Sequence, residues 1–133
     1  MEKHRFASGP IEEISWGRFV INGQENAKRN DGTIVGAGKD ICLVEGRLQP
    51  WKERKGHLLT RDMLAPVIDN PRVKTIIIGN GYYGALEVPG EVRAFVQSKG
   101  KQLIVQKTPQ ACALYNELFA KGEPVALLAH GTC

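Results

Sequence analysis

The sequence is poor in cysteine and lacks any long apolar run. Cys42, Cys112 and Cys133 are an odd number of widely spaced cysteines, with no Cys-x-x-Cys pair and no Cys/His cluster. We therefore expect reduced thiols and predict neither a disulfide framework nor a metal site. The longest apolar runs, residues 75–78 and 125–129, are far shorter than the roughly 20 residues that cross a bilayer. We expect a soluble protein without membrane contact.

A strong excess of one charge is also missing. The 18 basic and 14 acidic residues give a net charge of +4 and are interleaved, with no basic run longer than two residues. This mixture argues against a nucleic-acid partner. Lys3 and Arg5 are not followed by an apolar segment, which argues against a secretory signal and favours a cytoplasmic location. A chain of 133 residues is most simply one domain, 1–133, around one core.

The first half of the chain predicts antiparallel β-structure. Asn22-Gly23 stands between two alternating segments, and this dipeptide favours a tight hairpin because both turn positions need positive φ. We predict strands over 15–21 and 24–28, and a short strand over 33–35. A further single extended segment begins at residue 40 and ends at Pro50.

The second half alternates strand and helix patterns. Thr60 and Pro71 bound a predicted short helix, and "VKTIIIG" (73–79) is typical of a strand buried on both faces. A helix from Pro89 to Gly100, a strand over 101–106, a helix over 109–122 capped by Thr108, and a strand over 124–130 follow. Strands that alternate with helices indicate right-handed crossovers and a parallel sheet. The fold class is therefore α/β, with an additional antiparallel β layer from the N-terminal half.

Gly79, Gly81 and Gly84 have the spacing of a dinucleotide-binding fingerprint. That fingerprint needs its third glycine in the first turn of a helix and an acidic residue about 20 positions further on. Val88 precedes a proline, so the next helix begins too late, and the following strand ends in Gln106. We predict no NAD or FAD, and no other cofactor. The glycine turn is either an anion-binding nest of amides or only a sharp turn.

A second candidate is the basic loop, the segment "QPWKERKGHLLTR" (49–61), which combines cations with Trp51. Arg54 offers a two-pronged donor and His57 titrates near neutrality, so the segment suits a phosphate or carboxylate. The same composition also suits a solvated loop that Trp51 anchors to the core, and this is the more common role of a charged loop. His130 and Cys133 lie three residues apart after a predicted buried strand, but chain ends are usually mobile, and we predict no nucleophilic pair there. The sequence contains no recognisable catalytic motif, which argues against an enzyme.

Four stretches together resemble the Mth-domain family: "WKERKGH" (51–57), "IIIGNGYYGALEVP" (76–89), "TPQACALYNEL" (108–118) and "HGTC" (130–133). The family includes an adipogenesis-associated Mth-domain protein and a mitochondrial assembly factor for respiratory complex I. The resemblance implies a three-layer α/β fold whose mixed central sheet carries an extra β layer, and a domain without established catalytic activity or cofactor. The positions that match the family motifs are Trp51, Arg54, Gly56, His57, Gly79, Gly81, Thr108, Tyr115, Asn116, His130 and Cys133.

Two functional hypotheses follow. The first is a non-catalytic binding or assembly domain that acts through a protein partner or self-association. The second is an enzyme or binding protein for a small phosphorylated or carboxylated metabolite, held between the glycine turn and the basic loop. The candidate binding residues are Trp51, Arg54, Lys55, His57, Gly79, Asn80, Gly81 and Tyr83.

Overall fold

Ten strands form two five-stranded sheets in the computed structural model, which describes residues 2–133. The N-terminal sheet is an antiparallel meander in the order β1-β2-β3-β4-β5. Its strands are β1 (His4–Arg5), β2 (Ile11–Ser15), β3 (Arg18–Ile21), β4 (Gln24–Lys28) and β5 (Ile34–Val35). This sheet is the antiparallel layer that the N-terminal half predicts.

The second sheet is mixed and has the order β7-β6-β10-β8-β9. Strands β8, β9 and β10 are parallel, as predicted, while β6 joins β10 and β7 in antiparallel pairs. The strands are β6 (Asp40–Val44), β7 (Arg47–Pro50), β8 (Thr75–Gly79), β9 (Gln102–Gln106) and β10 (Val125–His130). The helices are α1 (Gly90–Ser98) and α2 (Thr108–Ala120).

Alternating side chains of the central sheet divide the core into two halves. On β8, Ile76 and Ile78 face a cluster that contains Val92 and Val96 of α1. Ile77 faces the opposite cluster, which contains side chains of α2 and of the N-terminal sheet. Successive residues of a strand point to opposite faces, so a strand covered on both sides is apolar throughout. The three-layer α/β prediction is confirmed.

Two predicted elements differ from the structure because of local turns. The segment that begins at residue 40 is a hairpin, since Glu45 and Gly46 both adopt positive φ between β6 and β7. Glutamate rarely takes that conformation, which is why the pattern did not reveal the turn. The predicted helix after Thr60 is a 3₁₀ turn, Arg61–Leu64, because Pro66 has no N–H with which to continue a helix.

Two family-motif positions on α2 hold the layers together. The Tyr115 hydroxyl accepts a hydrogen bond from the Gly46 amide at 3.1 Å. The Asn116 side chain accepts from the Ile11 amide at 3.2 Å and donates to the Ile11 carbonyl at 2.8 Å. Asn116 therefore pairs with β2 as a neighbouring strand would. Among residues 2–133, neither helix is long and apolar enough to cross a membrane.

Candidate functional site

The glycine turn, residues 79–84, does not lead directly into a helix, because α1 begins only at Gly90. Gly81 has φ +102° and Gly84 has φ +73°, and both lie in the irregular segment between β8 and α1. The third glycine is thus outside any helix, as the Val88-Pro89 sequence predicted.

Residues 131–133 fill the space above this turn. The Tyr82 amide donates to the Thr132 carbonyl at 2.7 Å, and the amides of Tyr83 and Ala85 both donate to the Cys133 carbonyl at 3.1 Å. The Gly17 amide donates to the Gly131 carbonyl at 2.7 Å. The expectation that this end of the chain is mobile is therefore wrong, because four amides hold it in place.

The amides predicted to bind an anion have partners within the protein. The Asn80 amide donates to the Gln106 carbonyl at 2.9 Å, and the Gly81 amide donates to Thr108 Oγ1 at 2.9 Å. Together with the Tyr82 and Tyr83 amides, these bonds argue against an anion nest at the turn.

Thr108 connects the turn to the last strand. Its hydroxyl accepts from the Gly81 amide and donates to the His130 carbonyl at 2.7 Å. The residue at the N-cap position of α2 is Lys107, and no side chain caps the helix. The predicted capping role of Thr108 is wrong: its hydroxyl instead fixes Gly81 and His130 relative to each other.

Asp40 lies at the centre of a largely buried cluster of polar side chains that the sequence did not predict. Asp40 Oδ1 accepts from His130 Nδ1 at 2.8 Å and from the Gly131 amide at 3.2 Å. Asp40 Oδ2 lies 3.1 Å from Arg54 Nε; this N–H does not point at the oxygen, so the contact is an ion pair without a hydrogen bond. Burial alone would raise the pKa of Asp40, but His130, Arg54 and the Gly131 amide together lower it below its usual value.

Arg54 is consequently engaged inside the protein. Its side chain is 12% exposed, and Arg54 Nη1 also donates to the Gly56 carbonyl at 2.5 Å. A guanidinium held in this way supports the loop and is a poor receptor for an external anion.

Three side chains from different elements converge beside this group. His57 Nε2, in the basic loop, lies 3.2 Å from Cys133 Sγ, and Cys133 Sγ lies 3.7 Å from His130 Nε2. The three ligand-type atoms all lie within 4.8 Å of one another. His130 is buried, Cys133 is partly exposed and His57 is exposed. The Thr132 hydroxyl lies 3.4 Å from His130 Nε2.

The other predicted residues divide into core and surface. Trp51 is buried and donates from Nε1 to the Met63 carbonyl at 2.9 Å. It therefore anchors the basic loop to the core, as the solvated-loop interpretation of this segment predicted. Lys55 is exposed, and Tyr83 is 71% exposed with its ring centroid 5.7 Å from that of Trp16. The structure thus brings His57 to the glycine turn through Cys133 but leaves Trp51 in the core.

Five surface pockets of about 320 to 570 Å³ lie elsewhere. None of these five is lined by Arg54, His57, Gly81 or Cys133. One of about 390 Å³ borders Trp16 and includes Lys28 and Arg29. Because His57 is exposed and Cys133 is partly exposed, the converging side chains form a surface site.

Comparison with known proteins gives a family and a fold. The model of the family described as "Protein of unknown function (DUF498/DUF598)" matches residues 11–130. A conserved hypothetical protein from Pyrococcus horikoshii OT3 is 24% identical with a TM-score of 0.74, over 92% of this chain and 98% of that one. An outer membrane protein from Bartonella henselae is 19% identical with a TM-score of 0.74, over 98% and 100%. A Mth938-like domain from Bordetella pertussis is 16% identical with a TM-score of 0.60, over 98% and 92%.

Proposed function

The chain belongs to the DUF498/DUF598 family of unknown function, in agreement with the predicted Mth-domain resemblance, and we propose that it is a non-catalytic binding or assembly domain. Its docking surface is the aromatic strip, formed by Trp16, Tyr82 and Tyr83. The occupant is a segment of a partner protein that carries an apolar side chain flanked by acidic residues.

The exposure of two neighbouring aromatic rings, Trp16 and Tyr83, is the observation that carries this proposal. Tyr83 is 71% and Trp16 is 37% exposed. The Trp16 ring centroid lies 5.6 Å from that of Tyr82 and 5.7 Å from that of Tyr83. Tyrosine and tryptophan are the residues that most often dominate binding energy at protein interfaces, and contiguous exposed apolar surface marks interaction sites.

The backbone beneath the strip is already ordered. The amides of Tyr82 and Tyr83 are bonded to Thr132 and Cys133, and Gly17, next to Trp16, is bonded to Gly131. Because the strip is fixed before a partner arrives, little conformational entropy is lost on binding.

The charge around the strip selects the chemistry of the partner. Three cations, Arg18, Lys28 and Arg29, and one carboxylate, Glu25, line the pocket beside Trp16. Glu25 is paired with Arg18 and Arg29, and the whole chain has a net charge of +4. Lys28 forms no salt bridge with any residue of the range 2–133. An acidic flank on the partner complements this surface and speeds the encounter.

The small-anion hypothesis has less support. Arg54 is paired with Asp40, and the amides of the glycine turn bind residues 106, 108, 132 and 133. Lys55 and His57 remain as exposed cationic or titratable groups in the basic loop. These two side chains are the groups that a small anion would contact.

The test compares variants against one purified partner. The full chain captures interacting proteins, the captured protein is identified and purified, and its Kd is measured for wild type, Trp16→Ser/Tyr83→Ser and Phe119→Ser. Phe119 is the matched control, because it is 36% exposed and packs near Gly46 at the opposite end of the central sheet. We expect the double variant to bind at least about tenfold more weakly, and the control to bind within about twofold of wild type.

Three results would contradict the proposal. One is a purified partner that binds the double variant as tightly as wild type. Another is association only between copies of this chain, measured by light scattering. The third is a thermal shift with inorganic phosphate or small carboxylates that Lys55→Ala abolishes, which would favour the small-anion hypothesis. Unfolding curves of each variant confirm that the fold is retained.

A further inference from the structure

We propose that His57, His130 and Cys133 form a binding site for a thiophilic divalent cation such as Zn²⁺, with two imidazole nitrogens and one thiolate as ligands. The sequence predicted no metal site, because only His130 and Cys133 are close in the chain. The folded basic loop adds His57 as the third ligand. This proposal is independent of the aromatic strip.

The separations of the three atoms suit a tetrahedral cation. Zinc lies about 2.0 Å from imidazole nitrogen and about 2.3 Å from thiolate sulfur, which places tetrahedral ligand atoms roughly 3.3 to 3.6 Å apart. The observed separations from Cys133 Sγ are 3.2 Å to His57 Nε2 and 3.7 Å to His130 Nε2. The two imidazole nitrogens lie within 4.8 Å of each other, so the exposed His57 ring moves by up to about 1.5 Å toward His130 to reach the tetrahedral separation.

The arrangement also lets three lone pairs converge on one point. In the neutral tautomer that donates from Nδ1 to Asp40, His130 presents a lone pair at Nε2. His57 Nε2 and the Cys133 sulfur face the same point. Without a cation, a proton on His57 Nε2 and the thiol proton can link the three atoms by hydrogen bonds, and the Thr132 hydroxyl lies at a long 3.4 Å from His130 Nε2. A cation replaces both protons and satisfies all three atoms at once.

The residues behind His130 have the character of an outer coordination shell. Metal-binding histidines commonly donate their second ring N–H to a carboxylate, which fixes the tautomer and raises ligand basicity. Asp40 supplies that carboxylate at 2.8 Å. Thr108 holds the His130 carbonyl at 2.7 Å, so both the ring and the backbone of this ligand are fixed before a cation arrives.

Three protein ligands leave a fourth position for water or for a group from another molecule. This position faces solvent, because His57 is exposed and Cys133 is partly exposed. When the cation binds, the Cys133 thiol loses its proton to solvent and the sulfur forms the metal bond. Neither a redox step nor a co-reactant is involved.

The experiment uses the full chain without a polyhistidine tag, treated with chelator and kept reduced by a phosphine. Co²⁺ is titrated first, because thiolate ligation gives a charge-transfer band in the near ultraviolet and tetrahedral geometry gives strong visible bands. Zn²⁺ then displaces Co²⁺, which gives its Kd. The variants are His57→Ala and Cys133→Ser, with His4→Ala as control, since His4 is the one histidine outside the cluster.

We expect wild type and His4→Ala to bind one equivalent of cation with equal affinity. His57→Ala binds at least about tenfold more weakly, and Cys133→Ser loses the charge-transfer band. Because His57 is exposed, its replacement leaves the fold intact, and the test does not depend on substituting buried His130. The proposal is overturned if wild type shows no charge-transfer band, or if both site variants bind Zn²⁺ as tightly as wild type.

Discussion

Asp40 and His130 are ninety residues apart in the chain, yet their side chains are joined by a 2.8 Å hydrogen bond. The register of β6 against β10 places these two residues directly opposite each other. Arg54 then adds its charge from the basic loop. One cross-strand pair thus connects the central sheet to the loop that carries His57.

Asp40→Asn should lower the free energy of unfolding by about 2 to 3 kcal/mol at neutral pH, because it removes the counter-ion of a largely buried Arg54. Asp69→Asn is the control, since the Asp69 side chain is 80% exposed and 3.4 Å from Lys99. That surface pair should contribute less than about 1 kcal/mol. Urea unfolding of both variants measures the difference, and equal losses would contradict a stabilising role for Asp40.

Gly81→Ala should destabilise the protein by about 3 kcal/mol or more, because a Cβ there would overlap the backbone carbonyl of Cys133 at an already positive φ. Gly100→Ala is the matched control. Gly100 also has positive φ, +74°, but nothing lies within 4 Å of its added Cβ, so only about 1 kcal/mol of backbone strain is expected. Denaturant unfolding compares the two variants. An equal loss of unfolding free energy in both variants would contradict the close packing of residues 131–133 on the turn.

Thr108→Val should cost about 1 to 3 kcal/mol, because it leaves the Gly81 amide and the His130 carbonyl without their shared partner. Thr108→Ser retains the hydroxyl and should keep most of the stability. Thermal unfolding measures both variants. A serine variant as unstable as the valine variant would show that packing of the threonine methyl, and not the hydroxyl bridge, is what matters.

Only one of the three thiols should react quickly with an aromatic disulfide reagent in the native protein at pH 8 with chelator present. Cys42 and Cys112 are fully buried, and burial raises the pKa of Cys42 to about 11, so neither offers an accessible thiolate. Cys133 is partly exposed. Absorbance should report one thiol in the native state and three after unfolding in guanidinium, while Cys133→Ser should give none in the native state. Rapid reaction of two or three native thiols would contradict this burial.

The secondary structure was largely predictable because its signals are local. Asn22-Gly23 forms the predicted turn, with φ of 49° and 78°, and the apolar run of β8 lies inside a parallel sheet. The predictions were wrong where a turn lacked its usual residues. Glu45 adopts φ 52°, a conformation that a sequence pattern would sooner assign to asparagine or glycine.

The site was less predictable, because its contacts join distant parts of the chain. Arg54 had the sequence character of an anion receptor, but its partner Asp40 comes from a different strand. His57 and Cys133 are 76 residues apart. The one local signal was the His130–Cys133 spacing after a buried strand. That spacing could indicate a site only if residues 131–133 are held in place. The amides that hold them belong to Gly17, Tyr82, Tyr83 and Ala85, which are distant in the chain.

The position of β10 has a consequence for biosynthesis. This strand is the last one in the described chain, yet it lies in the middle of the central sheet, between β6 and β8. Until the ribosome releases residues 125–130, the nascent chain holds two strands that lack their common neighbour, and their apolar side chains have no core to enter. Sheets closed by such distant pairings fold slowly. This domain should therefore not complete its fold until residues 125–130 have left the ribosome, and chaperones that shield unpaired strands have their greatest effect during that interval.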